Sequence, residues 1–109
     1  MEDSILSPNG TFSIIFDTFE VRMSHWIQAP RVFRVQDQAQ LFDLQGDVWS
    51  ADKVTWLSDS EVELYVRKYP GQVSCDLVLD LAEGTGKAIC GQDRFAGPLI
   101  AVKAWVLHH

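Results

Sequence analysis

The sequence predicts a mainly β domain, an antiparallel sandwich or meander of about seven to eight short strands with a short helix at its C-terminal end. Three observations support this class. Apolar and polar residues alternate over short runs, turn residues separate those runs, and no βαβ unit of the ~30 residues that a parallel crossover needs is present. With 109 residues, of which 47% are hydrophobic and 22% charged, residues 1–109 are interpreted as one domain.

The first half of the chain contains four predicted strands. They span residues 12–16, 19–28, 31–35 and 39–44. The second of them is expected to end or bulge at Ala29-Pro30, because proline lacks the N–H that a strand ladder uses. The third and fourth are expected to form a hairpin around residues 36–38.

The second half contains four more predicted strands and the helix. The strands span residues 54–57, 61–68, 73–81 and 87–90. Residues 49–52 are interpreted as an ordered loop before the first of these strands, and residues 87–90 as a short edge strand. The clearest alternation lies in residues 61–68. Its inward residues are Val62, Leu64 and Val66. Beyond Pro98 a strand and a helix are both open, since residues 99–107 contain several β-branched residues. We lean towards a helix, because Pro98 suits its first turn and three apolar residues share one helical face. They are Leu99, Val102 and Val106.

The two cysteines are interpreted as free thiols. Cys75 falls on the apolar phase of a predicted strand, where it would pack as a small hydrophobic residue. A pair of cysteines without a secretory signal is more often reduced than part of a disulfide framework. No CxxC motif occurs, and two of the three histidines are the last two residues, so no metal or other cofactor is predicted.

The formal net charge of −6 restricts the choice of partner. It repels phosphate backbones and anionic membranes, so neither a nucleic acid nor a membrane is expected, and it favours a basic protein. No apolar run approaches the ~20 residues of a transmembrane helix. Residues 1–4 are acidic and lack the basic and apolar regions of a signal peptide, so a cytoplasmic location is expected.

The polar face of residues 19–28 carries the first group of candidate binding residues. Glu20, Arg22 and Trp26 share this face. An exposed tryptophan beside an arginine is the composition of an interface hot spot. In the alternative interpretation, Trp26 packs under a loop or helix and Arg22 pairs with Glu20 or Asp52.

The second group is Asp47, Trp49 and Asp52. Two carboxylates around an indole could bind a cation, or accept an arginine or lysine of a partner. In the alternative, Trp49 fills the core and Asp52 bonds to N–H groups of its own loop, which is the usual role of an aspartate in a turn. We favour this second interpretation for Asp52.

An enzymatic function is not predicted. Ser24 and His25 are neighbours in a predicted strand, so their side chains point to opposite faces and cannot act as a catalytic pair. His25 lies on the apolar phase, where a hydrogen-bonded, partly buried histidine is the commoner outcome. An enzyme that uses His25 with Asp47 or Asp52 remains a rival hypothesis.

Three phrases of the sequence resemble a group of small bacterial proteins, some of which look like immunity proteins of polymorphic toxin systems. The phrases are ILSPNG (residues 5–10), EVRMSHW (20–26) and WSADKVTW (49–56). The resemblance implies a non-enzymatic interaction domain that neutralises a toxin, with a basic toxin as the partner.

The residues expected to contact such a partner combine the two groups above. They are Arg22, Trp26, Trp49 and Asp52, with Asp47 and Glu20 as rim charges. The alternative function is a β-sandwich that binds a small molecule or carbohydrate, with Trp26 and Trp49 as its apolar platform.

Overall fold

The structure is a computed structural model, and it describes residues 4–21, 25–70 and 73–109. These ranges contain nine strands and one α-helix, so the mainly β class and the C-terminal helix are confirmed, while the count of seven to eight strands is too low. The elements are β1 (Ser4–Leu6), β2 (Phe12–Val21), β3 (His25–Arg34), β4 (Ala39–Asp43), β5 (Trp49–Trp56), β6 (Glu61–Lys68), β7 (Ser74–Asp80), β8 (Thr85–Cys90), β9 (Asp93–Pro98) and α1 (Leu99–Leu107).

The strands form two antiparallel meanders, one with the order β1-β2-β3-β4 and the other with the order β5-β6-β7-β8-β9. Each strand therefore pairs with its neighbour in the sequence, as short turns favour. The predicted hairpin of β3 and β4 is confirmed. In its turn, Gln38 adopts a φ of 58°, and the Asp37 carboxylate accepts bonds from Arg34 Nε at 3.0 Å and from the Ala39 N–H at 3.1 Å.

A single hydrophobic core lies between the two sheets and α1, which gives a sandwich-like arrangement. The predicted inward residues of β6 and the predicted helical face are all buried there. The fully buried members include Ile14 and Val32 from the first sheet, Val62, Leu64 and Val66 from β6, and Val102 and Val106 from α1. The helix contacts β8 and β9 of the second sheet and β4 of the first. None of the helical structure in the described ranges has the length and hydropathy of a membrane-spanning helix.

The bounds of the two long strands of the first sheet differ from those predicted. The single strand expected over residues 19–28 is wrong, because residues 19–21 belong to β2 and residues 25–28 belong to β3. β2 continues through Asp17 and Thr18, and β3 continues through Pro30. The expected break at Pro30 is wrong. Pro30 pairs with Phe16 of β2 and lies one residue before β4 begins to pair with β3. At that point β3 has no β4 partner, so a residue without an N–H is tolerated. The irregularity falls two residues later, between Val32 and Phe33.

The expected loop at residues 49–52 is strand instead, and Asp52 is a β-bulge within β5. Ala51 pairs with Val66 and Lys53 pairs with Tyr65, so Asp52 has no partner in the β5–β6 ladder. An extra residue reverses which side chains face the core. Trp49 and Ala51 are buried before the bulge, and the inward phase then moves to even positions. The bulge explains why this stretch lacks a regular alternation.

Two short strands were missing from the prediction, and both lie at sheet edges. β1 pairs only with β2, and β9 pairs only with β8. Residues 87–90, expected as an edge, therefore belong to a strand that has neighbours on both sides. β9 has the sequence DRFAGP, which contains no alternation that would distinguish it from a loop.

The expectation of free thiols is wrong, because Cys75 and Cys90 form a disulfide. They are direct partners in the β7–β8 ladder, and their Cα atoms lie 4.3 Å apart, close to the separation of a non-hydrogen-bonded antiparallel pair. Cys75 is buried, as its apolar phase predicted. The strand register creates this pairing, and the spacing of the cysteines in the sequence does not reveal it.

Candidate protein-binding site

The distal half of the β2–β3 hairpin extends past its neighbours in the first sheet. β1 pairs with β2 at residues 13–15, and β4 pairs with β3 at residues 31–34. Residues 17–21 and 25–29 therefore pair only with each other within this sheet, and we call them the arm. A hydrogen bond from the Gln28 N–H to Ser50 Oγ, 3.0 Å long, holds the base of the arm against β5.

Trp26 is the most exposed aromatic residue of the described chain, at 62% of its full accessibility. It pairs directly with Glu20 across the arm, so the two side chains share one face. Nearer the core, the same face carries Ile14 and Val32, which are fully buried. In the arm this face is exposed to solvent, as Trp26 shows. Full burial of the exposed part of an indole would contribute about 3–4 kcal/mol, which is available to a partner.

The opposite face of the arm carries a second aromatic residue. Phe19 is 39% exposed and pairs with Ile27, which is 3% exposed. The arm therefore offers an aromatic side chain on each face, while Ile27, the cross-strand partner of Phe19, is buried. Arg22, the third candidate on this hairpin, lies outside the described residues, and so does the side chain of His25.

Trp49 is 1% exposed and belongs to the core. It opens β5 and pairs with Lys68, and its indole Nε1 is buried without a hydrogen-bond partner among the described residues. The role expected for Trp49 as a contact residue is therefore contradicted, since its side chain has no surface to offer. The interpretation in which Trp49 fills the core is the one that the structure shows.

The two acidic residues around Trp49 interact with bases of β6. Asp47 Oδ1 accepts the Val48 N–H at 2.8 Å, and its Oδ2 lies 3.0 Å from Lys68 Nζ. The bond from Val48, followed by the interaction with Lys68, lowers the pKa of Asp47 below its ordinary value. Asp52 Oδ2 lies 3.4 Å from Arg67 Nε in an exposed pair. Backbone capping, expected of Asp52, is thus performed by Asp47.

The structure therefore separates the five candidates that lie in its described residues. Glu20 and Trp26 lie side by side on the arm, Asp47 and Asp52 are paired with bases of β6, and Trp49 is internal. The solvent-facing side of β5–β9 was not among the binding surfaces predicted from the sequence. The strict alternation in residues 61–68 could have indicated that β6 has such a side. Within the described ranges, no group of three or more histidine, cysteine or acidic residues could hold a metal ion.

Comparison with known proteins identifies no relative of this chain. No protein-family model matches the chain, and neither the curated proteins nor the solved structures give a significant match.

Proposed function

We propose that this protein is a non-enzymatic interaction domain that binds a basic protein through the arm, and that the partner is a bacterial toxin which it neutralises. The observation that carries the proposal is the position of Trp26. A tryptophan that is 62% exposed, on a hairpin that its neighbours leave uncovered, has the character of an interface anchor. The toxin as partner rests on the resemblance of residues 5–10, 20–26 and 49–56 to immunity proteins.

The chemistry around Trp26 favours a cationic group of the partner. Glu20 is directly opposite Trp26 and has no basic side chain within 4.0 Å among the described residues. A lysine or arginine can stack on the indole face and reach the carboxylate at the same time. The net charge of −6 would also accelerate the encounter with a basic protein.

The alternative function in small-molecule or carbohydrate binding loses its main support. It needed Trp26 and Trp49 together as an apolar platform, and Trp49 is enclosed in the core. A single exposed indole offers one stacking surface, whereas a ligand site normally encloses most of its ligand. Protein binding uses the same indole without enclosure.

The cytoplasmic location is retained as part of the proposal, and the disulfide bears on it. Disulfides persist mainly in oxidising compartments and are rare in the cytosol. Because both cysteines are buried, the test is alkylation under denaturing conditions directly after acid quenching of the cells. If the protein acts in the cytoplasm, this treatment will label Cys75 and Cys90. If both cysteines resist alkylation until a reductant is added, the site of action is an oxidising compartment instead.

The first test is affinity capture of a partner, followed by direct binding measurements with the purified pair. Trp26→Ala should weaken binding by about 2 kcal/mol or more, which corresponds to at least about 30-fold in Kd. Ile100→Ala is the matched control. Ile100 is 80% exposed on α1, so this substitution removes exposed apolar surface away from the arm. A basic partner that is toxic when produced alone and harmless with this protein would support neutralisation. Unchanged affinity of the Trp26→Ala variant would contradict the proposed site.

A further inference from the structure

The solvent-facing side of the five-stranded sheet, which we call the outer face, is covered by no other element of the described chain. The core and α1 lie on the other side, where Val102 is packed beside Leu79. The strand register places the residues of the outer face in rows that cross the strands. One row is Lys53, Tyr65, Asp76, Ile89 and Arg94, and the next is Thr55, Glu63, Val78, Lys87 and Ala96.

The outer face holds all the unpaired bases of the described residues. Five arginines and lysines of the described chain lie within 4.0 Å of an acidic side chain, and of these Arg67 also belongs to the outer face. They are Arg31, Arg34, Arg67, Lys68 and Lys103. Lys53, Lys87 and Arg94 have no such partner among the described residues, and all three belong to the two rows. Every described arginine or lysine without an acidic partner within 4.0 Å therefore lies on the outer face.

Two acidic residues of the outer face are also placed unfavourably for an isolated protein. Glu61 and Asp80 are direct partners across β6 and β7, and no base of the described chain lies within 4.0 Å of either. Like charges that are directly opposite in a sheet destabilise it. Both line a hollow of about 490 Å³, bordered on the other side by Lys87 and Ala96, which has room for a basic side chain from outside.

Apart from Lys53 on β5 and Arg67 on β6, which is paired with Asp52, the charges of the outer face are segregated by strand. The acidic residues lie on β6 and β7, and the bases Lys87 and Arg94 lie on β8 and β9. We propose that the outer face is a homodimer interface, in which β8 and β9 of one copy pack on β7 and β6 of the second copy around a two-fold axis. Such an interface uses the same surface twice, so each basic half meets an acidic half.

The register shows which groups meet when the two sheets are aligned around an axis between β7 and β8. Arg94 of one copy lies over Tyr65 of the second copy and beside Asp76, where it can stack and form an ion pair. Lys87 lies over Val78, between Asp76 and Asp80. The half-exposed Ile89 and Val78 come near the axis and supply apolar contact.

A second copy explains the outer face better than an unrelated basic protein does. A uniformly basic partner would satisfy Glu61 and Asp80 but would be repelled by Lys53, Lys87 and Arg94. The second copy supplies charges of both signs in the required arrangement. This interface lies on the sheet that does not carry Trp26, so it is independent of the proposed function of the arm.

The size of the outer face sets the expected strength. The four strands β6 to β9 that overlap in this arrangement, spaced by about 4.8 Å with about six residues each at about 3.3 Å, present roughly 380 Å² in projection. A standard stable interface buries about 800 Å² on each partner. We therefore expect a weak dimer that depends on protein concentration and that dissociates as added salt screens its ion pairs.

The test is sedimentation velocity on the complete chain and two charge-reversed variants. The acidic half is reversed by Glu63→Lys with Asp76→Lys, and the basic half by Lys87→Glu with Arg94→Glu. We expect dimers of the unmodified protein at micromolar to millimolar concentration and low salt, monomers of each variant alone, and dimers again when the two variants are mixed. Circular dichroism melts would verify that each variant is folded.

The control carries the same change in net charge as the first variant but places it away from the outer face. Asp59→Lys with Gln36→Lys and Gln45→Lys serves this purpose, because the three residues are exposed and lie outside the arm and the outer face. We expect this variant to dimerise like the unmodified protein. A protein that stays monomeric at all concentrations in low salt would overturn the proposal. A mixture of two folded variants that stays monomeric, while the unmodified protein dimerises, would overturn the assignment of the outer face.

Discussion

Asp43 shows how a single side chain at the end of a strand connects distant elements. The side chain of Asp43 is 12% exposed, and its carboxylate lies 2.8 Å from Lys103 Nζ of α1 and accepts the Gln45 N–H at 2.8 Å. Burial raises the pKa of Asp43, but the bonds from Lys103, Gln45 and Gln40 together outweigh it. The pKa therefore lies below its ordinary value of 3.8.

This lowered pKa predicts a pH dependence of stability. Because the folded pKa lies below the unfolded one, the stabilisation is complete above the unfolded pKa and is lost as the pH falls through the folded value. We expect Asp43→Asn to lower the free energy of unfolding at pH 7 by about 1–3 kcal/mol, since a nearly buried ion pair is lost. The difference from the unmodified protein should shrink below about pH 4. Denaturant titrations at several pH values would measure it.

Asp37→Asn is the control for this experiment. Asp37 also has a lowered pKa, through its hydrogen bond with Arg34, but the pair is fully exposed. Solvent screening leaves such a pair with little effect on stability. A loss for Asp37→Asn as large as that for Asp43→Asn would show that the connection to α1 is not the cause.

At the scale of elements, β7 and β8 are joined by both a ladder and a covalent bond. Cys75 and Cys90 close a loop with a sequence separation of 15 at one end of the hairpin, and the turn at Gly84 closes the other end. The disulfide lies at the margin of the core, since Cys90 is 6% exposed. It therefore fixes the register that the outer face depends on.

Reduction of the disulfide should destabilise the protein. A loop of this length predicts a loss of about 3 kcal/mol, and a fall in Tm on the order of 10–20 °C for a chain of this size. Calorimetry with and without reductant would measure the change, and mass spectrometry after alkylation would verify the thiols. Cys75→Ala with Cys90→Ala should melt at one temperature in both conditions. Equal Tm values for the oxidised and reduced unmodified protein would contradict the prediction.

At the scale of the whole molecule, α1 unites the two sheets. Its inner face packs against β8 and β9, Lys103 pairs with Asp43 of β4, and a Leu107 side-chain carbon lies 3.3 Å from the position that a Cβ on Gly46 would occupy. Leu99, Val102 and Val106 share one core with both sheets. The protein should therefore unfold in one cooperative transition.

Val102→Ala tests this role of the helix. Val102 is fully buried, so loss of two methyl groups and the resulting cavity should cost about 2 kcal/mol. Ile100→Ala, on the exposed side of the same helix, should change stability little. Probes of both sheets, such as the fluorescence of Trp26 and of Trp49, should report the same midpoint in each variant. Different midpoints would show that the sheets unfold separately.

Local periodicity predicted the elements whose burial is regular. β6 begins and ends where its alternation does, and the face of α1 consists of the residues that a helical period selects, because a regular period directly reports which side is covered. The arm could be predicted only as strands. The exposure of the arm as a binding surface arises because β1 and β4 are too short to pair along it. That is a property of the assembled sheet and not of the local sequence.

The sequence by itself determined the β class, the C-terminal helix and the acidic charge, since composition and period are local properties. The tertiary structure alone decided that Trp49 is internal and Trp26 exposed, because burial depends on what the second sheet covers. It also decided the disulfide, because only the register of β7 and β8 brings Cys75 opposite Cys90. The bulge at Asp52 belongs to the same category. It interrupts the alternation of residues 49–56, but an interrupted alternation is equally typical of a loop, so only the pairing with β6 identifies the bulge.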